Sequence, residues 1–231
     1  MKKVNSYGWK AVIGSSIGYA MDGFDLLILG FMLSLISGDL GLTTGQAGSL
    51  VTWTLVGAVI GGFIFGTLSD KFGRVRVLTW TIVLFAVFTG LCAFAQGYWD
   101  LLIYRTIAGI GLGGEFGIGM ALAAEAWPAQ HRAKATSYVA IGWQLGVLAA
   151  ALLTPVLLPY IGWRGMFMVG IIPAFVAWFF RAKLHEPEIF VQSKEIKEHS
   201  HTNSFKLLVK DVRTTKTSIG VAILTSVQNF G

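Results

Sequence analysis

Six stretches of roughly twenty apolar residues follow one another through the first 181 residues, and the connections between them are short. A run of that length, coiled as an α-helix rising 1.5 Å per residue, spans the ~30 Å hydrocarbon core of a bilayer. The expected spans are Trp9–Ser37, Gln46–Leu68, Val75–Ala95, Leu101–Trp127, Ala135–Leu158 and Trp163–Arg181. The composition agrees: 54% of the residues are apolar and 13% charged, whereas a water-soluble domain carries about a quarter charged. The fold class is an all-α membrane protein. Residues 1–181 form a six-helix bundle in this reading, and 182–216 form a polar cytoplasmic linker. The apolar run 217–231 is too short to cross and is expected to be the start of a truncated seventh helix.

The distribution of charge sets the orientation. With the N-terminus inside, all of the 18 basic residues except Arg105 and Arg164 fall on one side of the membrane. That asymmetry is the positive-inside pattern, so the basic side, including the N-terminus, is cytoplasmic and the protein is expected to be multi-pass in the plasma membrane. The formal charge of +6 is thereby explained by topology and does not point to nucleic acid. Trp9, Trp99, Trp127, Tyr160 and Trp163 fall at span ends, where an interfacial aromatic belt is expected.

Charges inside the spans carry the functional information. The first span reads "GYAMDGFDLLILG" from Gly18 to Gly30. Neither flank, Ala11–Met21 nor Leu26–Ile36, reaches across the bilayer alone, so Asp22 and Asp25 are expected near mid-depth. Two central carboxylates cost roughly 5–7 kcal/mol on insertion scales, and the apolar residues of the span return about as much. Their i, i+3 spacing puts both on one helix face. Such residues mark ion paths or pair with a buried cation, and Arg105 is a candidate partner.

The fourth span holds Arg105 toward its outer end, Glu115 near its middle and Glu125 near its inner end. Gly109, Gly113 and Gly117 recur every four residues, a small-xxx-small pattern that allows close packing of a neighbouring helix. Gly57, Gly61, Gly62 and Gly66 repeat this in the second span, and Gly142 with Gly146 in the fifth. Cys92, the only cysteine, lies in an apolar run and excludes an intramolecular disulfide. No metal-ligand spacing, nucleophile motif or nucleotide loop is present, so neither an enzyme nor a cofactor is expected. His131, His185, His199 and His201 fall in cytoplasmic segments.

The turn "GTLSDKFGR", Gly66–Arg74, resembles the loop motif of the major facilitator superfamily, and "RTIAGIGLGG", Arg105–Gly114, resembles that family's fourth-helix motif. The blocks "DGFD", "GLTTGQAGSL", "GGEFGIGMALAAEAWPAQHRAKA" and "GWRGMFMVGIIPA" resemble the sialate and other organic-acid proton symporters, and "DGFD" is also similar to the signature of aromatic-acid symporters. The resemblance implies the N-terminal six-helix half of a twelve-span carrier working by alternating access. It implies proton coupling through Asp22 and Asp25, with Glu115 as a further intramembrane carboxylate. Arg105 would serve the proton relay or the substrate anion. Asp70, Arg74, Glu125 and Arg132 would form a cytoplasmic gate. The span-five sequence "GWQLGVLAAALLTP" lacks the glycine- and proline-rich antiporter signature, which disfavours drug/proton antiport.

The function expected is proton symport of a small organic acid, with the organic anion, H+ and membrane lipid as partners and the C-terminal half absent from this chain. A sugar or other metabolite carrier of the same family is the alternative within the class. A non-transporting membrane nutrient sensor is the alternative outside it.

Overall fold

The computed structural model describes residues 6–181 and Glu186. The described residues belong to one compact unit, 1–187. They are helical throughout: α1 (Ser6–Leu40), α2 (Thr44–Phe72), α3 (Arg74–Cys92), α4 (Tyr98–Glu125), a 3-10 turn (Ala129–His131) and α5 (Arg132–Arg181). The expected linker and the apolar run after it lie outside the described residues.

Each connection has a local cause. Gly41, with φ +63°, takes the left-handed conformation in which L side chains are strained. Two residues on, Thr43 opens a capping box with Gln46: the Gln46 N–H donates to Thr43 Oγ1 at 3.3 Å and the Thr43 N–H to Gln46 Oε1 at 2.9 Å. Gly73 alone separates α2 from α3, at φ +111°, and its N–H donates to Ser69 O at 3.1 Å. The orphan N–H groups of Val75 and Arg76 at the start of α3 donate to the Glu186 carboxylate at 3.2 and 3.1 Å.

The fifth and sixth expected spans appear within the single element α5, which is broken at Gly162 by φ 65°, ψ 179°. The kink divides α5 into two helical segments, 132–161 and 163–181, which correspond to the fifth and sixth expected spans. Only glycine enters that region without strain, so the "IGWRG" turn changes direction there without unwinding more of the chain.

α1 lies along α5, and α2 and α3 lie along α4. Glycine stripes bring two of these pairs into backbone contact. A Cβ on Gly57, Gly61, Gly109 or Gly113 would collide with the backbone of the facing helix, α4 for the first two and α2 for the others. Gly142 and Gly146 press in the same way on Ser16 and Ala20 of α1. Gly117 does not follow its stripe, since the space beside it is open. At 100° per residue, eight residues turn the face by about 80°, and Gly117 has rotated out of the α2 contact.

The burial pattern inverts that of a soluble protein. Val59, Phe63, Leu152, Val156 and Phe175 are more than 60% exposed, while Asp22, Asp25, Arg105 and Glu115 are enclosed. Large apolar side chains outside and ionisable ones inside suit a lipid solvent. Among the described residues five helices are long and apolar enough to cross a membrane, the longest being α5 with its kink at Gly162. The aromatic belt needs a correction. Trp99 and Tyr160 are 69% and 86% exposed, but Trp127 and Trp163 are buried at 5% and 6%. Their indole N–H groups are committed internally, Trp127 to Gly8 O at 3.0 Å and Trp163 to Asp39 at 3.1 Å. These two rings bind helix ends together.

Candidate functional site

Asp25 of α1 and Arg105 of α4 meet inside the bundle. Arg105 donates from Nη1 to Asp25 Oδ1 at 3.0 Å and from Nη2 to Oδ2 at 2.7 Å, and neither residue has any exposed surface. This fork-to-fork arrangement fixes both direction and register. The Thr54 hydroxyl of α2 accepts from Arg105 Nε at 3.4 Å, and the guanidinium carbon lies 5.8 Å from the centre of the Phe167 ring in the sixth crossing. Four crossings therefore close around one ion pair. An isolated charge at this depth would be prohibitively expensive; a bidentate pair with a hydroxyl beside it is tolerable.

Asp22, one turn toward the N-terminus on α1, is also fully buried. Glu115, 2% exposed, accepts a hydrogen bond from the Thr81 hydroxyl of α3 at 3.2 Å. Asp25 lies at the α1–α4 contact and Glu115 at the α3–α4 contact. Among the described residues no group of acidic, histidine or cysteine side chains could hold a metal ion.

At the other expected site, Arg74 is the hub. Its guanidinium pairs with Asp70 at 2.8 Å and with Glu125 of α4 at 3.2 Å, and it donates to Ser69 Oγ at 2.6 Å. Glu186 sits immediately beside this cluster on the N-terminus of α3. Arg132, the fourth residue expected in the gate, is exposed at the start of α5 and makes no ion pair among the described residues. Glu125 has Arg74 as its partner because the one-residue turn at Gly73 aims Arg74 at the inner end of α4.

Sequence reasoning missed three features. One is the supporting hydroxyls, Thr54, Thr81 and Ser69, which look like ordinary span residues until their partners are known. Another is an outer clasp, in which Arg164 bonds the Asp39 carboxylate, donates to Ala95 O at 3.2 Å and stacks on Trp163. The third is a cluster of rings at mid-depth. Tyr19 of α1 lies 4.9 Å from Phe116 of α4 and 5.1 Å from Trp143 of α5, between ring centres.

An all-helical, multi-pass bundle with lipid-facing apolar surfaces and an enclosed ion pair is a membrane-carrier architecture. The chain belongs to the Major Facilitator Superfamily, whose model matches residues 15–230. It is 76% identical, over 99% of its own length and 58% of the relative's, to a Haemophilus influenzae protein assigned to metabolite transport. It is 32% identical, over 99% of its length and 57% of the relative's, to the cis,cis-muconate transport protein of Acinetobacter baylyi. Its fold is similar to that of the E. coli xylose transporter XylE in a partially occluded inward-open conformation, with TM-score 0.75 and 23% identity over 84% of this chain and 52% of that one. The chain thus spans little more than half the length of these relatives. Its family and fold are those of transporters and not of enzymes.

Proposed function

We propose that this chain is the first half of a proton-coupled carrier that moves a small organic acid across the plasma membrane by alternating access. In this reading 182–216 is the cytoplasmic link and 217–231 begins a seventh crossing, with the N-terminus inside. The observation that carries the proposal is the enclosed Asp25–Arg105 pair. Protonation of Asp25 cancels the carboxylate charge and leaves Arg105 with nothing to neutralise it, so the closed packing around the pair loses its electrostatic basis. Deprotonation restores it. A proton bound from one side and released to the other thereby becomes a bias between two packings of the helices. Asp22, one turn away, and Glu115, on the facing helix, are the additional carboxylates through which the proton is passed or held.

The cytoplasmic cluster supplies the gate. Asp70, Arg74 and Glu125 tie the α2–α3 turn to the inner end of α4, and breaking them is a step toward inward opening. Close packing along the glycine stripes lets the α1–α5 and α2–α4 pairs move as units. The organic-acid assignment rests on the relative that transports cis,cis-muconate; the likeness to the xylose transporter supports the fold only.

The test is uptake by the full-length protein in proteoliposomes under an imposed pH gradient, across a panel of carboxylates. Asp25→Asn is expected to abolish uphill accumulation while counterflow exchange persists. If Asp22→Asn and Asp25→Asn both accumulate substrate as well as wild type, the proton role is wrong.

A further inference from the structure

We propose that the groove between α3 and the part of α5 beyond Gly162 binds an acyl chain of an anionic phospholipid, whose headgroup is held by Lys71 and Arg76. The proposal goes beyond the carrier reading and takes from it only that this end of the bundle faces the cytoplasm.

The apolar half of the site is a cavity of about 190 Å³, lined by α3 between Ile82 and Val87 and by Ala174, Phe175 and Trp178 of α5. Every lining residue is aliphatic or aromatic. Ala86 and Ala174 contribute only methyl groups, and so leave room that a leucine at either position would take up. Ile82 is buried beneath the groove, while Val83, Val87, Phe175 and Trp178 stand exposed around it. Farther along, the Ile171 side chain packs on Gly90, with its Cδ1 2.7 Å from where a Cβ on that glycine would stand, so the two helices close there. At 1.5 Å per residue the groove lies ~9–17 Å along α3 from Arg76, and half a hydrocarbon core is ~15 Å. The groove is therefore at acyl-chain depth.

The polar half lies where α2 ends and α3 begins. Lys71 Nζ is 5.5 Å from the centre of the Phe72 ring, and that ring is 5.7 Å from the ring of Trp80. Arg76 precedes Trp80 by one turn of α3 and Val83 by two, so Arg76, Trp80, Val83 and Val87 form one exposed stripe from the basic end into the groove. Lys71 and Phe72 are exposed as well. Neither Lys71 nor Arg76 makes an ion pair among the described residues, and the neighbouring acids are committed elsewhere: Asp70 to Arg74, Glu186 to the Val75 and Arg76 N–H groups. Two cations at the membrane surface attract an anionic headgroup, and rings such as Phe72 and Trp80 sit at headgroup level. A free anion would use the bases without the groove. An apolar helix would use the groove without the bases. A phospholipid uses both, and a zwitterionic one carries an ammonium that the two bases repel.

The test is native mass spectrometry of the full-length protein, titrated with phosphatidylglycerol or with phosphatidylcholine of the same acyl chains. Each juxtamembrane base contributes about fivefold to the affinity for an anionic headgroup, so wild type is expected to prefer phosphatidylglycerol by at least that factor. Lys71→Gln combined with Arg76→Gln is expected to bring the two lipids together; both side chains are exposed, so the fold is kept. Ala86→Leu, which fills the groove, is expected to weaken both lipids alike. Equal binding of the two lipids by wild type overturns the proposal, as does an undiminished preference in the double variant or undiminished binding by Ala86→Leu. Displacement of phosphatidylglycerol by an equal concentration of glycerol phosphate would mean a free-anion site. A lipid-independent dimer that Ala86→Leu abolishes would mean that a second copy fills the groove. Either result overturns the lipid assignment.

Discussion

Arg105 holds Asp25 through two parallel hydrogen bonds of 3.0 and 2.7 Å between α4 and α1, in a place where neither side chain reaches solvent. The guanidinium also meets Thr54 and Phe167, each from a further crossing. The pair is consequently a joint of the bundle as well as a candidate proton site, and the two roles separate experimentally. Removing one partner strands a charge, which costs about 3–5 kcal/mol for a buried pair, whereas replacing both with apolar residues of similar size is close to neutral. Arg105→Leu should therefore lower thermal stability in detergent sharply, and Asp25→Leu combined with Arg105→Leu should recover most of the loss while still failing to accumulate substrate. A double variant no more stable than Arg105→Leu would show that the pair is not the joint described.

The glycine stripe of α4 makes a graded prediction. A methyl group at Gly113 strikes the backbone of Ala58, which cannot give way without moving α2. Overpacking of this kind costs about 1–3 kcal/mol. At Gly117 nothing stands within reach, and alanine gains up to about 1 kcal/mol of helix propensity. Gly113→Ala should lower the unfolding temperature and Gly117→Ala should leave it unchanged or raise it. Melting curves of the two variants, measured side by side, decide the matter; equal losses would mean that Gly117 packs as tightly as its neighbours.

The long apolar helices, the short connections and the enclosure of Asp22 and Asp25 were legible in the sequence because lipid imposes a length and penalises charge, and both leave marks along the chain. Arg105 stood out for the same reason, as a basic residue within an expected span. Partner choice was not legible. Within the expected gate set, Glu125 pairs with Arg74 from another helix, because a one-residue turn at Gly73 decides where that side chain points. Trp127 and Trp163 sit at span ends as expected of a belt, yet they face inward, since a period of amino acids fixes depth better than it fixes rotation about the helix axis. The ring cluster was invisible for a related reason: Tyr19, Phe116 and Trp143 are far apart in sequence, and each alone is an ordinary span residue.

The outer clasp should be sensitive to acid. Asp39 lies beyond the apolar run that ends at Ser37, and the hydrogen bonds from Arg164 and then Trp163 hold its carboxyl below the usual carboxylate range. A group whose folded pKa is depressed contributes stability above its unfolded value, near 4, and that contribution disappears as pH falls through the lower folded value. Asp39→Asn removes the titrating group. The wild type should therefore lose stability on acidification below about pH 4 by more than Asp39→Asn does, in unfolding series run at matched pH. Parallel pH profiles for the two proteins would exclude the clasp as an acid-sensitive element.

Glu186 occupies the N-terminus of α3, where the Val75 and Arg76 N–H groups have no helical partner and where the helix dipole favours a negative charge. Gly73 permits this approach, because a Cβ there would meet the Glu186 carboxylate, and its φ of +111° already disfavours any other residue. Loss of such a cap costs about 0.5–2 kcal/mol. Since Arg74, the hub of the gate cluster, is the first residue of α3, loosening the first turn also loosens Arg74 against Asp70 and Glu125. Glu186→Ala should speed amide hydrogen exchange at Val75 and Arg76 and also weaken protection at the inner end of α4. Unchanged exchange at Val75 and Arg76 would rule out the cap. Faster exchange confined to α3, with α4 untouched, would mean that the cap holds the helix end and is not coupled to the gate.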